Sequence, residues 1–184
     1  VRSGANFFSL NDSGAAAGEA NQLVEPAHLS LAGPLVSASD SSISTLFHLL
    51  SVARSDVVGT TPDALIQLSG ATLTIGGQNP LTPETAPNGR LVNVASGATS
   101  GAAANAAFLG VAGPLLSATA STLTLATDAV GVFNGATLTS TTGAPLLQLN
   151  STTLNAGAPS RFGAILNIGG TGGQVRSVSV TPVI

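Results

Sequence analysis

The stretch "VAGPLLSATASTLT", residues 111–124, repeats the stretch "LAGPLVSASDSSIS", residues 31–44, at a distance of 80 positions. Identical letters recur at this shift between residues 29 and 52, and residues 65–74 recur with one extra residue at 146–155. Chains that repeat in this way bury their apolar residues by stacking each unit on its own copy. The repeat therefore indicates a stacked architecture.

The repeat divides the chain into units. The first covers residues 28–107 and the second covers residues 108–177. Residues 1–27 form a partial unit, in which residues 13–24 could form a short helix or cap. Residues 178–184, "VSVTPVI", have the spacing of "LSLAGPLV" at 29–36 and begin a third unit. We expect one continuous domain.

Inside each unit a shorter pattern recurs, with two apolar residues in alternation, a few small or polar residues, and a third apolar residue. Alternation over four or five residues predicts a short strand with one buried face. Links such as "NGA" at 134–136 and "SGA" at 69–71 predict turns, because Gly and Asn tolerate positive φ. Where no insertion intervenes the instances begin 14 to 17 residues apart. They are Val36, Ala38 and Ile43; Leu50, Val52 and Val58; Ile66, Leu68 and Leu73; Leu116, Ala118 and Leu123; Val130, Val132 and Leu138; and Leu147, Leu149 and Leu154.

Many short strands at regular spacing fit a sandwich, a barrel or a solenoid, and internal self-similarity favours the solenoid. We predict an all-β chain folded as a parallel β-helix from two repeats of about 80 residues, with a β-sandwich as the alternative. Coils of about 15 and of about 30 residues both fit the spacing. Residues 76–89, which are rich in Gly and Pro, are expected to project as a loop from one corner.

The composition is unusually poor in charge. Only 7% of the residues are charged, against roughly 25% in ordinary globular proteins. The five basic residues are single arginines without a cluster, which argues against a nucleic-acid partner. A surface with so little charge repulsion favours self-association.

The chain contains no Cys and no Met. Disulfides and thiolate metal sites are therefore excluded. The missing initiator Met favours a processed, exported chain with an extracellular or cell-surface location. Residues 101–118 are uncharged and long enough to span a membrane, but Asn105 and Pro114 argue against a span.

Three phrases carry a resemblance to a known class of proteins: "GPLLSATASTLTL", "VFNGATLTSTTGAPLLQLNSTTLNAG" and "GPLVSASDSSIS". Together with them, most of residues 29–168 resembles repetitive bacterial surface proteins of the parallel β-helix type. These are the filamentous-haemagglutinin-like and autotransporter-passenger families. The resemblance implies export, a right-handed coil, and a role in adhesion or surface structure.

No residue pattern predicts catalysis, a cofactor or a metal site, so we expect the chain not to be an enzyme. A glycan-cleaving β-helix enzyme would need paired carboxylates, whereas the acidic residues are dispersed. His28 and His48 have no companion ligands and are expected to be exposed to solvent. "GGTGG" at 169–173 lacks the Lys of a phosphate-binding loop.

Thr side chains recur in pairs that flank an inward Leu. The pairs are Thr72 and Thr74, Thr122 and Thr124, and Thr137 and Thr139, with Ser42 and Ser44 in the equivalent place. Thr favours outward strand positions, which explains the pairs most simply. They also resemble the ice-binding face of some antifreeze solenoids, so ice binding is a lesser alternative.

The sequence favours a structural, self-assembling subunit of an extracellular filament or surface layer, whose partner is a second copy joined head to tail by strand addition. We expect residues 178–184 to join residues 6–10 of the next copy. The alternative is a monomeric adhesin stalk that contacts a glycan, a protein or a surface. The contact residues of the filament are predicted to be Phe7, Phe8, Leu10, Val178, Val180, Val183 and Ile184.

Overall fold

The computed structural model describes residues 1–3, 5–11, 27–76, 88–96, 106–157, 163–169 and 173–177, and these form nineteen short strands and no helix. Residues 13–24, which could form a helix, lie outside the described residues. The strands are β1 (Arg2–Ser3), β2 (Phe8–Asn11), β3 (Ala27–Leu31), β4 (Val36–Ser39), β5 (Ser42–Thr45), β6 (Leu50–Ala53), β7 (Ser55–Gly59), β8 (Ile66–Ser69), β9 (Thr72–Ile75), β10 (Val92–Ala95), β11 (Phe108–Val111), β12 (Leu116–Thr119), β13 (Thr122–Leu125), β14 (Val130–Phe133), β15 (Thr137–Ser140), β16 (Leu147–Asn150), β17 (Thr153–Ala156), β18 (Leu166–Gly169) and β19 (Gln174–Ser177).

Every fourth strand joins the same sheet, so four strands make one coil. Sheet A is β1-β5-β9-β13-β17, sheet B is β2-β6-β10-β14-β18, sheet C is β3-β7-β11-β15-β19, and sheet D is β4-β8-β12-β16. All pairings between the described strands are parallel and in register. The predicted parallel β-helix is confirmed, and the alternative of a β-sandwich, which needs antiparallel pairs, is not what the strands form.

A coil without an insertion takes about thirty residues, and not fifteen. The Thr141 hydroxyl donates to the Val111 carbonyl of the coil below, 30 residues earlier in the chain. The 80-residue shift therefore spans two coils. In sheet C, for example, Leu29 lies beside Val57, and Val57 lies beside Leu109.

The interior consists of apolar columns that run from coil to coil. Ile43, Leu73 and Leu123 form one such column in sheet A and are all buried. Leu35 packs against the same core to which the buried Leu115 belongs, so the copies found in the sequence share one interior. Burying such side chains contributes about 1.5–3 kcal/mol each.

The predicted inward position of Val58 is wrong. Val57 is fully buried in the column of Leu29 and Leu109, whereas Val58 is exposed on the outer face of sheet C. The shift follows from the corner before β7, which is one residue shorter than its counterpart before β15. The inward residues Val52 and Val57 are five positions apart, whereas Val132 and Leu138 of the same columns are six positions apart.

The corner between sheets D and A repeats one backbone conformation in every coil. Asp40, Gly70, Ala120 and Ser151 occupy it with φ of 46°, 60°, 49° and 49°. Their stacked backbones bond directly: the Gly70 N–H donates to the Thr119 carbonyl at 3.0 Å. The predicted turns at 69–71 and 134–136 are confirmed, since Asn134 and Gly135 also have positive φ.

Extra residues enter the coils at two corners, between sheets A and B and between sheets B and C. The predicted projection of residues 76–89 as a loop falls largely outside the described residues and stays a prediction. Residues 77–87 connect sheet A to sheet B and lie outside the described residues, but their flanking glycines are described. A Cβ on Gly89 would lie 2.4 Å from the Cα of Gly76, so the insertion starts and ends at one point of the corner. Gly157 and Gly163 make the same contact around residues 158–162. Residues 12–26 and 97–105 connect sheet B to sheet C.

Among the described residues, no helix has the length and apolar character that crossing a membrane requires.

Candidate functional site

The two ends of the coil stack are the first candidate site, because the described members of the predicted contact set lie at one of them. Phe8 and Leu10 belong to β2, the outermost strand of sheet B at the N-terminal end, and Phe7 directly precedes it. All three side chains are half-buried. Val178, Val180, Val183 and Ile184 lie outside the described residues, so their contacts stay predictions.

At the C-terminal end the outermost strands expose apolar side chains that are buried elsewhere in the same columns. Ile168 in β18 is 49% exposed, whereas its column neighbour Val132 is fully buried. Leu149 in β16 is 42% exposed, and its column neighbour Ala118 is buried. Within the described residues, no further strand covers these two columns at this end.

The N-terminal end carries a cavity of about 510 Å³ beside β4 and β5. Its apolar lining comes from Phe7, Leu35, Val36, Ala38 and Ile43, which are members of interior columns. Both ends therefore present apolar cross-sections of the same coil.

A polar ladder, formed by Asn6, His48, Arg90 and Asp128, crosses the coils at the corner between sheets A and B. Each residue stands just before the apolar pair that enters sheet B. The Asn6 Oδ1 accepts the His48 backbone N–H at 3.0 Å, and the His48 Nδ1 accepts the Arg90 backbone N–H at 3.1 Å. The predicted solvent exposure of His48 is therefore wrong. Burial and the charge of Arg90 lower the pKa of His48 to about 4.

Arg90 ends the series of acceptors because a guanidinium has only donors. Its Nε donates to the Asp128 Oδ2 at 3.0 Å, and the two side chains are 17% and 6% exposed. Asp128 also accepts the Ala164 N–H at 3.1 Å and the Asn167 side-chain amide at 3.0 Å. The guanidinium lies 4.7 Å from the centre of the Phe133 ring. The carboxylate is fully engaged in holding coils together.

His28 has a partner that the sequence did not reveal. On the outer face of sheet C its Nδ1 lies 3.1 Å from the Asp56 Oδ2, with the two side chains 62% and 25% exposed. Between groups this accessible to water, an ion pair contributes at most about 1 kcal/mol.

The predicted Thr pairs divide between two faces. Thr72 and Thr74 lie beside Thr122 and Thr124 on the outer face of sheet A. Thr137 and Thr139 lie on sheet C, in columns with Phe108 and Gly110. Only the pairs on sheet A form a continuous array.

The described carboxylates occupy separate parts of the coil. Asp40 lies in the D–A corner, Asp56 on sheet C, Asp63 between sheets C and D, and Asp128 in the A–B corner. Within the described ranges no three His, Asp or Glu side chains come close enough to hold a metal ion.

Sequence reasoning missed the polar ladder because its members are chemically different. A shared signal existed: a polar residue precedes an apolar pair at 6–8, 48–50, 90–92 and 128–130.

Comparison of the chain with protein-family models, with curated proteins and with solved structures found no match.

Proposed function

We propose that the protein is a self-assembling structural subunit of an extracellular filament or surface layer, in which copies join head to tail. The observation that carries this proposal is that the two ends of the described coil stack expose side chains of columns that are buried in the middle coils. The location outside the cell rests on the resemblance to repetitive bacterial surface proteins.

The strand edges support such a contact. β1 to β4 are the outermost strands at one end, and β16 to β19 are the outermost strands at the other. Parallel edge strands present unpaired N–H and C=O groups that can pair with another chain. A contact between two different ends of a molecule generates an open polymer when the rotation does not close.

The column positions make the two ends compatible. Leu10 and Ile168 belong to the same column of sheet B, at opposite ends. When one copy is stacked on the next in register, β18 continues onto β2. Residues 178–184 lie outside the described residues, so their pairing with residues 6–10 of the next copy stays a prediction.

The chain has few charges to oppose this contact. Its net charge is −3 over 184 residues. Low net charge removes the repulsion that keeps copies apart.

The test uses two variants, each of which blocks one end. Ile168→Asp places a carboxylate on the C-terminal end, and Leu10→Asp places one on the N-terminal end. We expect each variant alone to remain monomeric by light scattering after size exclusion, while an equimolar mixture forms dimers through its intact ends. Thr119→Asp, on an exposed lateral position of β12, is the matched control and should form filaments in negative-stain images.

Filament growth by both blocked variants would overturn the end-to-end contact. Deleting residues 178–184 should also leave a soluble protein that does not polymerise. If the deletion polymerises normally while the blocked variants do not, the ends join without that segment. A wild-type chain that stays monomeric at all concentrations would favour the monomeric adhesin stalk, for which the shallow polar groove over Ser37, Gln67 and Ser117 on sheet D is the observation in favour.

A further inference from the structure

The outer face of sheet A carries two parallel columns of small neutral polar side chains. Adjacent members come from adjacent coils, and seven of the eight are hydroxyls. All but the half-buried Ser44 are exposed. One column is Ser42, Thr72, Thr122 and Thr153, and the other is Ser44, Thr74, Thr124 and Asn155.

The fold sets the spacing of this array in two directions. Along a column, neighbours are separated by the distance between strands, about 4.8 Å, and across the columns by two residues of a strand, about 6.7 Å. The residues between the columns, Ile43, Leu73 and Leu123, are buried and hold the strands in register. β-branched Thr has few rotamers, so the hydroxyls lose little freedom when they bind.

The chemistry of the array narrows the class of ligand. Neither column contains a charged or aromatic residue between β5 and β17, which disfavours ionic minerals and the aromatic stacking that sugars commonly require. Hydroxyls both donate and accept, and the Thr methyl groups add an apolar surface. A neutral array that repeats in two dimensions complements the surface of ice. Oxygen atoms on the prism face of ice repeat at distances close to the spacings along and across the two columns.

We propose that the outer face of sheet A binds ice. One hydroxyl gains almost nothing when it exchanges liquid water for ice, so the binding depends on several rows that engage at once. Four described rows are in register, and this proposal does not depend on filament formation.

The test measures thermal hysteresis and the shape of single ice crystals, in a chain that carries Ile168→Asp so that end contacts play no part. We expect faceted crystals and a measurable gap between the melting and freezing temperatures. The double variant Thr72→Lys and Thr122→Lys should abolish both effects. The matched control is Ser69→Lys with Thr119→Lys, three residues earlier in the same coils and exposed on sheet D, which should keep them.

Three results would overturn the proposal. One is the absence of hysteresis and faceting in the Ile168→Asp chain. Another is an equal loss in both double variants while circular dichroism shows that both are folded. The third is a change of oligomeric state that only Thr72→Lys with Thr122→Lys produces, since the face would then be an interface between copies.

Discussion

The corners between sheets D and A and between sheets A and B turn the same chain by different means. The D–A corner turns at one residue per coil that takes a positive φ, and the N–H groups of three of these residues bond to the next coil. The Ser121 and Thr152 hydroxyls beside this position add side-chain hydrogen bonds between coils. The A–B corner uses side chains, which reach from coil to coil through Asn6, His48, Arg90 and Asp128.

The difference has a physical consequence. The positive-φ position of the D–A corner accepts any short residue that can adopt the conformation, and four different residue types do so here. A side-chain corner depends on each donor meeting its acceptor, so a single substitution leaves a buried group unsatisfied. We therefore expect the polar ladder of the A–B corner to be far more sensitive to substitution than the positive-φ position of the D–A corner.

The largest effect is expected at Asp128. Asp128→Ala should destabilise the fold by about 3–5 kcal/mol, because it leaves the Arg90 Nε, the Ala164 N–H and the Asn167 side-chain amide without their acceptor. The surface pair gives the control: Asp56→Ala removes the partner of the exposed His28 and should cost less than about 1 kcal/mol. Urea unfolding monitored by circular dichroism measures both, and equal costs would contradict the assigned role of the corner.

The parallel strands and the shared core could be predicted, because alternation and self-similarity are visible in the letters of residues 29–52 and 109–132. The number of strands per coil could not, since a 15-residue coil fits the same spacing. Two consecutive valines, Val57 and Val58, hid the inward position, because the corner before β7 is one residue shorter than the corner before β15. The polar ladder was hidden because hydrogen bonding needs compatible donors and acceptors, and these differ in residue type from coil to coil.

His48 should make the A–B corner sensitive to acid. The folded pKa is about 4 and the unfolded value is 6.5, so the unfolded chain binds the proton more readily. The part of the unfolding free energy that depends on neutral His48 is therefore fully present above pH 6.5. It falls as the pH drops toward 4, by up to about 3 kcal/mol. Chemical denaturation at a series of pH values measures the slope.

His48→Asn provides the matched variant. An Asn carbonyl can accept the Arg90 N–H as Asn6 accepts that of His48, and it does not titrate. We expect this variant to lose the part of the acid dependence between pH 6.5 and 4. An unchanged slope would mean that another group is responsible.

The D–A corner should show smaller effects of opposite sign. Ala120→Gly relieves a non-glycine residue at φ 49° and should stabilise the fold by up to about 1 kcal/mol. Gly70→Ala introduces the same strain and should destabilise by a similar amount, and its Cβ would displace the Asp40 side chain, 2.3 Å away. Thermal unfolding of the two variants measures the difference, and a shift in the same direction for both would contradict this description of the corner.

The most direct test asks which residues lie one coil apart. The chain has no cysteine, so Thr72→Cys with Thr122→Cys introduces a clean pair on adjacent strands of sheet A, about 4.8 Å apart. Ser42→Cys with Thr122→Cys places the pair 80 residues apart and two coils apart, beyond the reach of a disulfide. Peptide mass spectrometry after mild oxidation should find the disulfide in the first variant and not in the second. The reverse result would show that the 80-residue units stack directly and would contradict the four-strand coil.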